Sequence, residues 1–410
     1  MTPHQNWSGA RRTTFALLTA LGTLAGASIA GAGQAAAADT WTTVAAGVTY
    51  RQYDVPATAG VTHAHVLNVD LTNSHVRVGL LYPGKVASRA AVSALANGQN
   101  AVGGINGDFF NISETQHPGV SPTYSSVGPA VADGKVLKSA VPNGQRFGPK
   151  MPPGTDTRAV VGVGTDGRAR LDTLSLTGTV TRSTQRLALG GLNQYALPVG
   201  SVGAFTSDWG TASRRRATCG TDAKRADPCS SETYEVTVKD DRVVSVSTTP
   251  GSGAIAADTT VLVGREAGAE SLEQFKLGDT VTVRQGLASG SGTAFGFAVG
   301  GSPVLAGGRP LAGLNQTATT VRTAVGIGDG GRRVFLLALD GGSAYRKGMT
   351  VAELAAALQS LGATEGFSLD GGGSSTLVAR PSGSTRVTVR NHPSDGTERL
   401  VSNGVGVFSQ

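Results

Sequence analysis

The strongest constraint on the fold lies between residues 334 and 376. Val334-Phe335-Leu336-Leu337-Ala338-Leu339 is a continuous apolar run, the pattern of a strand buried on both faces. Thr350 then stands as an N-cap with Glu353 three residues on, and Val351, Leu354, Leu358 and Leu361 follow at helical spacing until Gly362. Gly366-Phe367-Ser368-Leu369 resumes as a strand. Strand, helix and strand in this order predict a right-handed parallel crossover. Both strands end in the same four letters, Leu339-Asp340-Gly341-Gly342 and Leu369-Asp370-Gly371-Gly372. Parallel strands would bring both aspartates to one sheet edge, where open α/β sheets hold ligands.

Around this unit the chain reads mainly as β-structure. Residues 50–53, 65–71 and 76–80 alternate as strands, with Asn73-Ser74 where a turn would join the last two. A helix is expected over 88–96, stopped by Asn97-Gly98, before a short strand over 101–105 that runs into Asn106-Gly107-Asp108-Phe109-Phe110. Residues 111–155 are rich in turn formers and read as loops. Between about 156 and 290 lie short strands, among them 234–238 and 243–246, joined by Lys239-Asp240-Asp241-Arg242 in a hairpin, and one short helix near 271–277. The fold class expected is α+β: a mixed, largely antiparallel sheet core with few helices and one βαβ crossover, plus a β-rich insertion. The organisation expected is a signal segment over 1–38, an N-terminal β-rich segment over 39–99, and a catalytic domain over 100–410 carrying the insertion at about 156–290.

With 39% hydrophobic residues the chain is not disordered by composition, and its 59 glycines are scattered rather than periodic, which excludes collagen. Arg11-Arg12, an Ala/Leu-rich stretch and small residues around 34–38 predict export, by the Sec or the twin-Arg route. Without those two arginines, 33 cations face 28 acids, too mild an excess for a nucleic-acid footprint. No later stretch is long and apolar enough for stable membrane insertion. Cys219 and Cys229 flank a polar segment and, paired in an oxidising compartment, would staple one loop; neither a second Cys pair nor a nearby His supports zinc.

The densest chemistry is Asp370-Gly371-Gly372-Gly373-Ser374-Ser375-Thr376. Three glycines let backbone amides approach a ligand, two serines add donors, and Asp370 supplies a strong acceptor. The Lys of a Walker loop is missing. The competing reading is a tight turn whose Asp caps its own amides. Asn106 and Asp108 place an amide and a carboxylate on one side of a continuing strand. Arg322, with Ala324 and Gly326 on its face, has room to reach an anion bidentately. His63-x-His65 reads as a solvated strand face rather than a metal site, and no Gly-x-Ser-x-Gly elbow supports a serine hydrolase.

Asn106-Gly107-Asp108-Phe109-Phe110, Gly301-Ser302-Pro303-Val304-Leu305, Arg322-Thr323-Ala324-Val325-Gly326, Gly348-Met349-Thr350-Val351-Ala352-Glu353-Leu354, Leu369-Asp370-Gly371-Gly372-Gly373-Ser374-Ser375-Thr376 and Glu398-Arg399-Leu400-Val401-Ser402-Asn403 occur in that order. Together, over about residues 100–409, they resemble the phosphodiester glycosidase family; the Gly/Ala-rich middle is similar to its secreted, actinobacterial-type members. The resemblance implies an α+β fold and hydrolysis of a sugar-1-phosphodiester at the glycosidic bond, giving sugar and a phosphomonoester. Gly301-Ser302 stands where the family often has Gly-Gly, and Asp340-Gly341-Gly342 where it often has Asp-Gly-Arg.

The expected site follows from both readings. Asp108 and Asp370 are the catalytic carboxylates. Asn106, Arg322, Gly371, Gly372, Gly373, Ser374, Ser375, Asn391, Arg399 and Asn403 bind substrate or position its ligands. No cofactor is required, although the two aspartates leave room for a divalent cation. The partner expected is a carbohydrate or sugar-phosphate polymer of a cell wall or exopolysaccharide. Two rival readings stand beside hydrolysis: a sugar-phosphate polymer-binding protein, and a glycosidase acting on unphosphorylated glycan.

Overall fold

The computed structural model describes residues 40–410, and the expected export signal lies outside them. The strand Arg333–Leu339 is the apolar run expected, and it is flanked antiparallel by Gly60–Asp70 and by Thr323–Gly328. Thr323–Gly328 also pairs antiparallel with Glu365–Ser368. Arg333–Leu339 and Glu365–Ser368 are therefore parallel, with one antiparallel strand between them. The helix Val351–Ser360 makes the crossover. Its capping box is formed: Glu353 N donates to Thr350 Oγ1 at 3.1 Å, and Thr350 N donates to Glu353 Oε2 at 2.8 Å. Leu354 and Leu358 pack with Ala324, Leu337 and Leu339 on one face of the sheet.

That sheet has eight strands, ordered Thr42–Ala45, Val48–Ala57, Gly60–Asp70, Arg333–Leu339, Thr323–Gly328, Glu365–Ser368, Ser302–Ala306 and Arg309–Pro310. A five-stranded sheet lies on its other face, with Gly103–Asn106 between Leu377–Ala379 and Gly404–Ser409. Val325, Leu336 and Phe367 from the first sheet share one core with Ile105, Leu377 and Val405 from the second. The chain is largely antiparallel, as expected, with few helices; Gln185–Leu192 beside Val202–Phe205 is a parallel pair.

Three local expectations shift. The turn at Asn73-Ser74 joins strands of different sheets, since Gly60–Asp70 belongs to the eight-stranded sheet and Val76–Leu81 to the five-stranded one. The helix expected over 88–96 is Val92–Gly98, because Ala90 is held extended in a bridge to Val401. The short helix near 271–277 is Ala267–Leu272, begun earlier by a turn in which Glu266 adopts a positive φ of 46°.

The middle strands form an eleven-stranded sheet. Ala159–Gly164 pairs with Phe295–Gly300, which also pairs with Ala130–Ala132. Strands from both sides of positions 156 and 290 thus share one ladder, so the middle region grows out of a sheet begun before it. Cys219 and Cys229 are joined in a disulfide. His117 Nε2 lies 2.8 Å from Asp227 O inside that loop, and Arg216 Nη1 donates to Cys219 O at 3.1 Å. Among the described residues no helix is long and apolar enough to cross a membrane.

Opening the disulfide frees a short loop, so replacing both cysteines by serine should cost about 2–3 kcal/mol in a denaturant titration, with turnover retained. Unchanged stability, or lost turnover in a fully folded variant, contradicts this.

Candidate functional site

The ends of the central strands and of Gly103–Asn106 meet through side chains the sequence singled out. Asn106 Nδ2 donates to Asp370 O at 2.7 Å, while its Oδ1 accepts from Thr376 N at 3.1 Å. Thr323 Oγ1 lies 2.9 Å from Asn106 Oδ1 and 3.0 Å from Ser375 Oγ. Asp370 N donates to Gly107 O at 2.9 Å. Asn403 closes the other side: its Oδ1 accepts from Asp108 N at 3.0 Å, and its carbonyl accepts from Gly107 N at 2.9 Å. Asn391 Oδ1 accepts from Leu377 N at 2.8 Å, and its Nδ2 donates to Leu339 O and Ser375 O. The hydrogen bonds of these three asparagines run mostly to backbone groups, and the Ser375 hydroxyl is held by the Thr323 side chain.

Asp108 is enclosed, with 2% of its surface exposed. Its Oδ2 accepts from Gly128 N at 2.6 Å. That approach depends on two glycines, because a Cβ on Gly300 would stand 2.6 Å from Asp108 Oδ2 and from Gly128 Cα. Lys138, fully buried, donates to Gly128 O and Ser139 O, and its charge acts on Asp108 together with that of Arg146. Burial pushes Asp108 above the usual carboxylate range and pulls the Lys138 ammonium down, each partly offset by the other's charge.

Asp370 is partly exposed. Its Oδ1 accepts from Gly371 N at 2.9 Å and its Oδ2 from Ser374 Oγ at 2.7 Å. Burial pushes Asp370 up to about 7; the Asp108 charge adds to this, and the Ser374 and Gly371 hydrogen bonds and the Arg399 charge oppose it. Arg399 crosses Gly373 closely enough that any side chain there would occupy its guanidinium's space, and it pairs with Asp395 at 2.6 Å.

Two parts of the expected anion cradle differ from expectation. Gly371 N is spent on Asp370 Oδ1 and Gly372 N donates to Val321 O at 2.8 Å, so the turn binds itself first. Arg322 is buried, with Nε donating to Met349 O at 3.0 Å and Nη2 to Ala318 O at 2.9 Å. With two of its three nitrogens holding carbonyls, it cannot offer the open bidentate fork expected. It lies two residues before Ala324 as Asp370 lies two residues after Ser368, so the register of the Ala324–Ser368 pair brings the two to the same strand end.

Sequence reading missed Lys138, Arg146 and Gly128, all inside the segment read as loops. The signal present was Lys135-Val136-Leu137-Lys138, a short alternating strand. Asp340, at the same sheet edge as Asp370, accepts from His392 Nδ1 at 2.8 Å and lies 3.6 Å from His65 Nε2, while His63 Nδ1 meets Asp54 at 2.6 Å. Among the described residues no group of three or more His, Cys, Asp or Glu is arranged to hold a metal ion.

Residues 232–408 match the model of the phosphodiester glycosidase family. That segment carries Arg322, Asp370 and the closing motifs, and its match agrees with the resemblance of the ordered motifs; Asp108 precedes it. No curated protein matches the chain. Among solved structures, a hypothetical protein from Synechocystis has a TM-score of 0.67 at 21% identity, covering 89% of this chain and 62% of that one. A putative exported protein from Burkholderia pseudomallei has a TM-score of 0.65 at 23% identity, covering 85% and 74%. These two define the fold. The zebrafish N-acetylglucosamine-1-phosphodiester α-N-acetylglucosaminidase catalytic domain, auto-inhibited by its pro-peptide, covers 89% of this chain and 84% of its own at 15% identity; a TM-score of 0.44 carries neither fold nor chemistry across.

The raised Asp370 carboxyl has a stability consequence. The folded protein keeps a proton that the unfolded chain releases above about pH 4, so wild-type stability falls as pH rises towards 7. Asp370→Asn removes this titration. Its melting temperature relative to wild type should therefore climb from about pH 4 to about pH 8. A difference that is flat over that range overturns the raised proton affinity.

Proposed function

We propose that this chain is a secreted hydrolase that cleaves the glycosidic bond of a sugar-1-phosphodiester of the cell-wall or exopolysaccharide type, releasing the sugar and a phosphomonoester. The observation that carries the reading is the pair of electrostatically coupled carboxyls, one enclosed beside cations and one at the surface of the site next to Arg399. Asp370 is the group that touches substrate. Asp108, enclosed by Gly128 and Gly300, acts through it as a fixed charge.

The chemistry asks little acid help. A phosphate ester is a good leaving group, so the bond from the anomeric carbon to oxygen breaks with the electron pair leaving on phosphate. Water adds to the same carbon, and its proton passes to ionised Asp370. A proton affinity near neutrality suits that role, since the carboxylate is both available and basic enough to accept. Positive charge grows on the sugar while negative charge grows on phosphate, so anion and cation must stand on opposite sides of the bond. Asp370 supplies the first and Arg399 the second, with Arg322 behind it.

Purified protein offered matched sugar-1-phosphodiesters and plain glycosides should release sugar from the diesters. Binding without cleavage favours the capture protein, and cleavage of plain glycosides alone favours the ordinary glycosidase. Asp370→Asn should still melt cooperatively yet lose about 10²-fold or more in rate, because the amide keeps shape but not charge. A variant that turns over normally removes Asp370 from the chemistry.

A further inference from the structure

Beside the carboxylates lies a cavity of about 190 Å³ that the hydrolysis reading does not use. Its place follows from sheet register. Ser302 and Ser368 are directly opposed across two antiparallel strands, and both side chains line it. Asp370 follows Ser368 by two residues, about 7 Å at the rise of an extended chain, just past the end of that strand. Phe109, the residue after Asp108, forms another part of the wall. The cavity therefore adjoins the strand end that carries Asp370.

Its remaining lining is of another kind. Met151, Pro152, Leu314 and Val351 make it apolar, and the strap over 149–153 contributes three prolines whose fixed φ holds its path. Pro153 packs on Gly313, where any Cβ would stand 2.9 Å from its ring, so the strap is seated against the opposite wall. Lys150 is the single charged residue of the lining. Ser302, Ser368, Lys150 and Asn315 supply the polar part of the lining; against the wall of Met151, Pro152, Leu314 and Val351 a sugar or a polyol would lose hydrogen bonds to water without replacing them. An apolar group tethered to an anion would instead bury its body and leave its phosphate near Lys150 and the two serines.

We infer that the cavity formed by Phe109, Met151, Leu314 and Val351 is the leaving-group subsite, and that the phosphodiester this protein takes carries an aryl or alkyl group on the phosphate's far side. This rests on the proposed cleavage at the sugar but departs from its polymer substrate: the products are a free sugar and an apolar phosphomonoester. A volume of about 190 Å³ accepts one aromatic ring or a short alkyl chain, with a longer chain leaving by the open side.

Two measurements test it. Calorimetry with phenyl phosphate and with glycerol 3-phosphate reads the subsite without turnover. Phenyl phosphate should bind about tenfold or more tightly. Met151→Asp should abolish that preference while leaving glycerol 3-phosphate unchanged, and Met151→Leu should keep it. Equal affinities, or a preference indifferent to Met151→Asp, overturn the subsite. Hydrolysis of the same sugar bearing phenyl phosphate or glycerol phosphate on its anomeric carbon separates the two claims. Cleavage of both at equal kcat/KM sinks the leaving-group preference alone. Tight phenyl phosphate binding with neither ester cleaved sinks the hydrolysis and leaves the subsite standing.

Discussion

The side chain of Asn106 joins the two sheets that make the site. One amide gives its nitrogen to Asp370 O and its oxygen to Thr376 N and Thr323. Those partners belong to the end of the central sheet, the glycine turn and the strand that leaves it. Buried and fully engaged, an amide at this junction is costly to lose, because each abandoned partner would remain desolvated. Asp108 is placed by the same junction, since Gly107 and Asp108, the two residues after Asn106, are both held by Asn403. Register in both sheets and the approach of two carboxyls are thus consequences of one hydrogen-bonded knot.

What the two carboxyls become depends on their neighbours as much as on burial. Asp108 loses nearly all its water and is compensated by Lys138 and Arg146, neither of which reaches a ligand through it. Asp370 keeps some water, is bonded by Ser374 and the Gly371 amide, and still holds its proton near neutrality. Burial raises both carboxyls, and what differs is the company each keeps: cations beside Asp108, and Ser374, the Gly371 amide and Arg399 beside Asp370. The glycine turn contributes by folding onto Asp370 and by letting Arg399 lie flat across Gly373.

Much of this was legible in sequence where local pattern and global fold agree. The apolar strand, the Thr350–Glu353 box and the repeated Leu-Asp-Gly-Gly ends determine the crossover and the edge on which Asp340 and Asp370 lie. What stayed hidden depends on contacts between distant segments. Lys138 sits on a four-residue strand in a stretch of turn formers, and nothing nearby shows that it will be buried beside Asp108. Arg322 reads as an open guanidinium on a small-residue face, yet Met349 and Ala318, brought over by the loop before the helix, take its nitrogens. The sheet shared by Ala130–Ala132, Ala159–Gly164 and Phe295–Gly300 is likewise invisible in a pattern that resets at every turn.

Under the proposed function the bond breaks at the sugar and not at phosphorus, with Asp370 receiving a proton from water adding to the anomeric carbon. Turnover in ¹⁸O-water, with both products analysed by mass spectrometry, tests this directly. The label should appear in the released sugar and be absent from the phosphomonoester. Label in the phosphomonoester would mean that water attacked phosphorus, and the chain would be a phosphodiesterase instead.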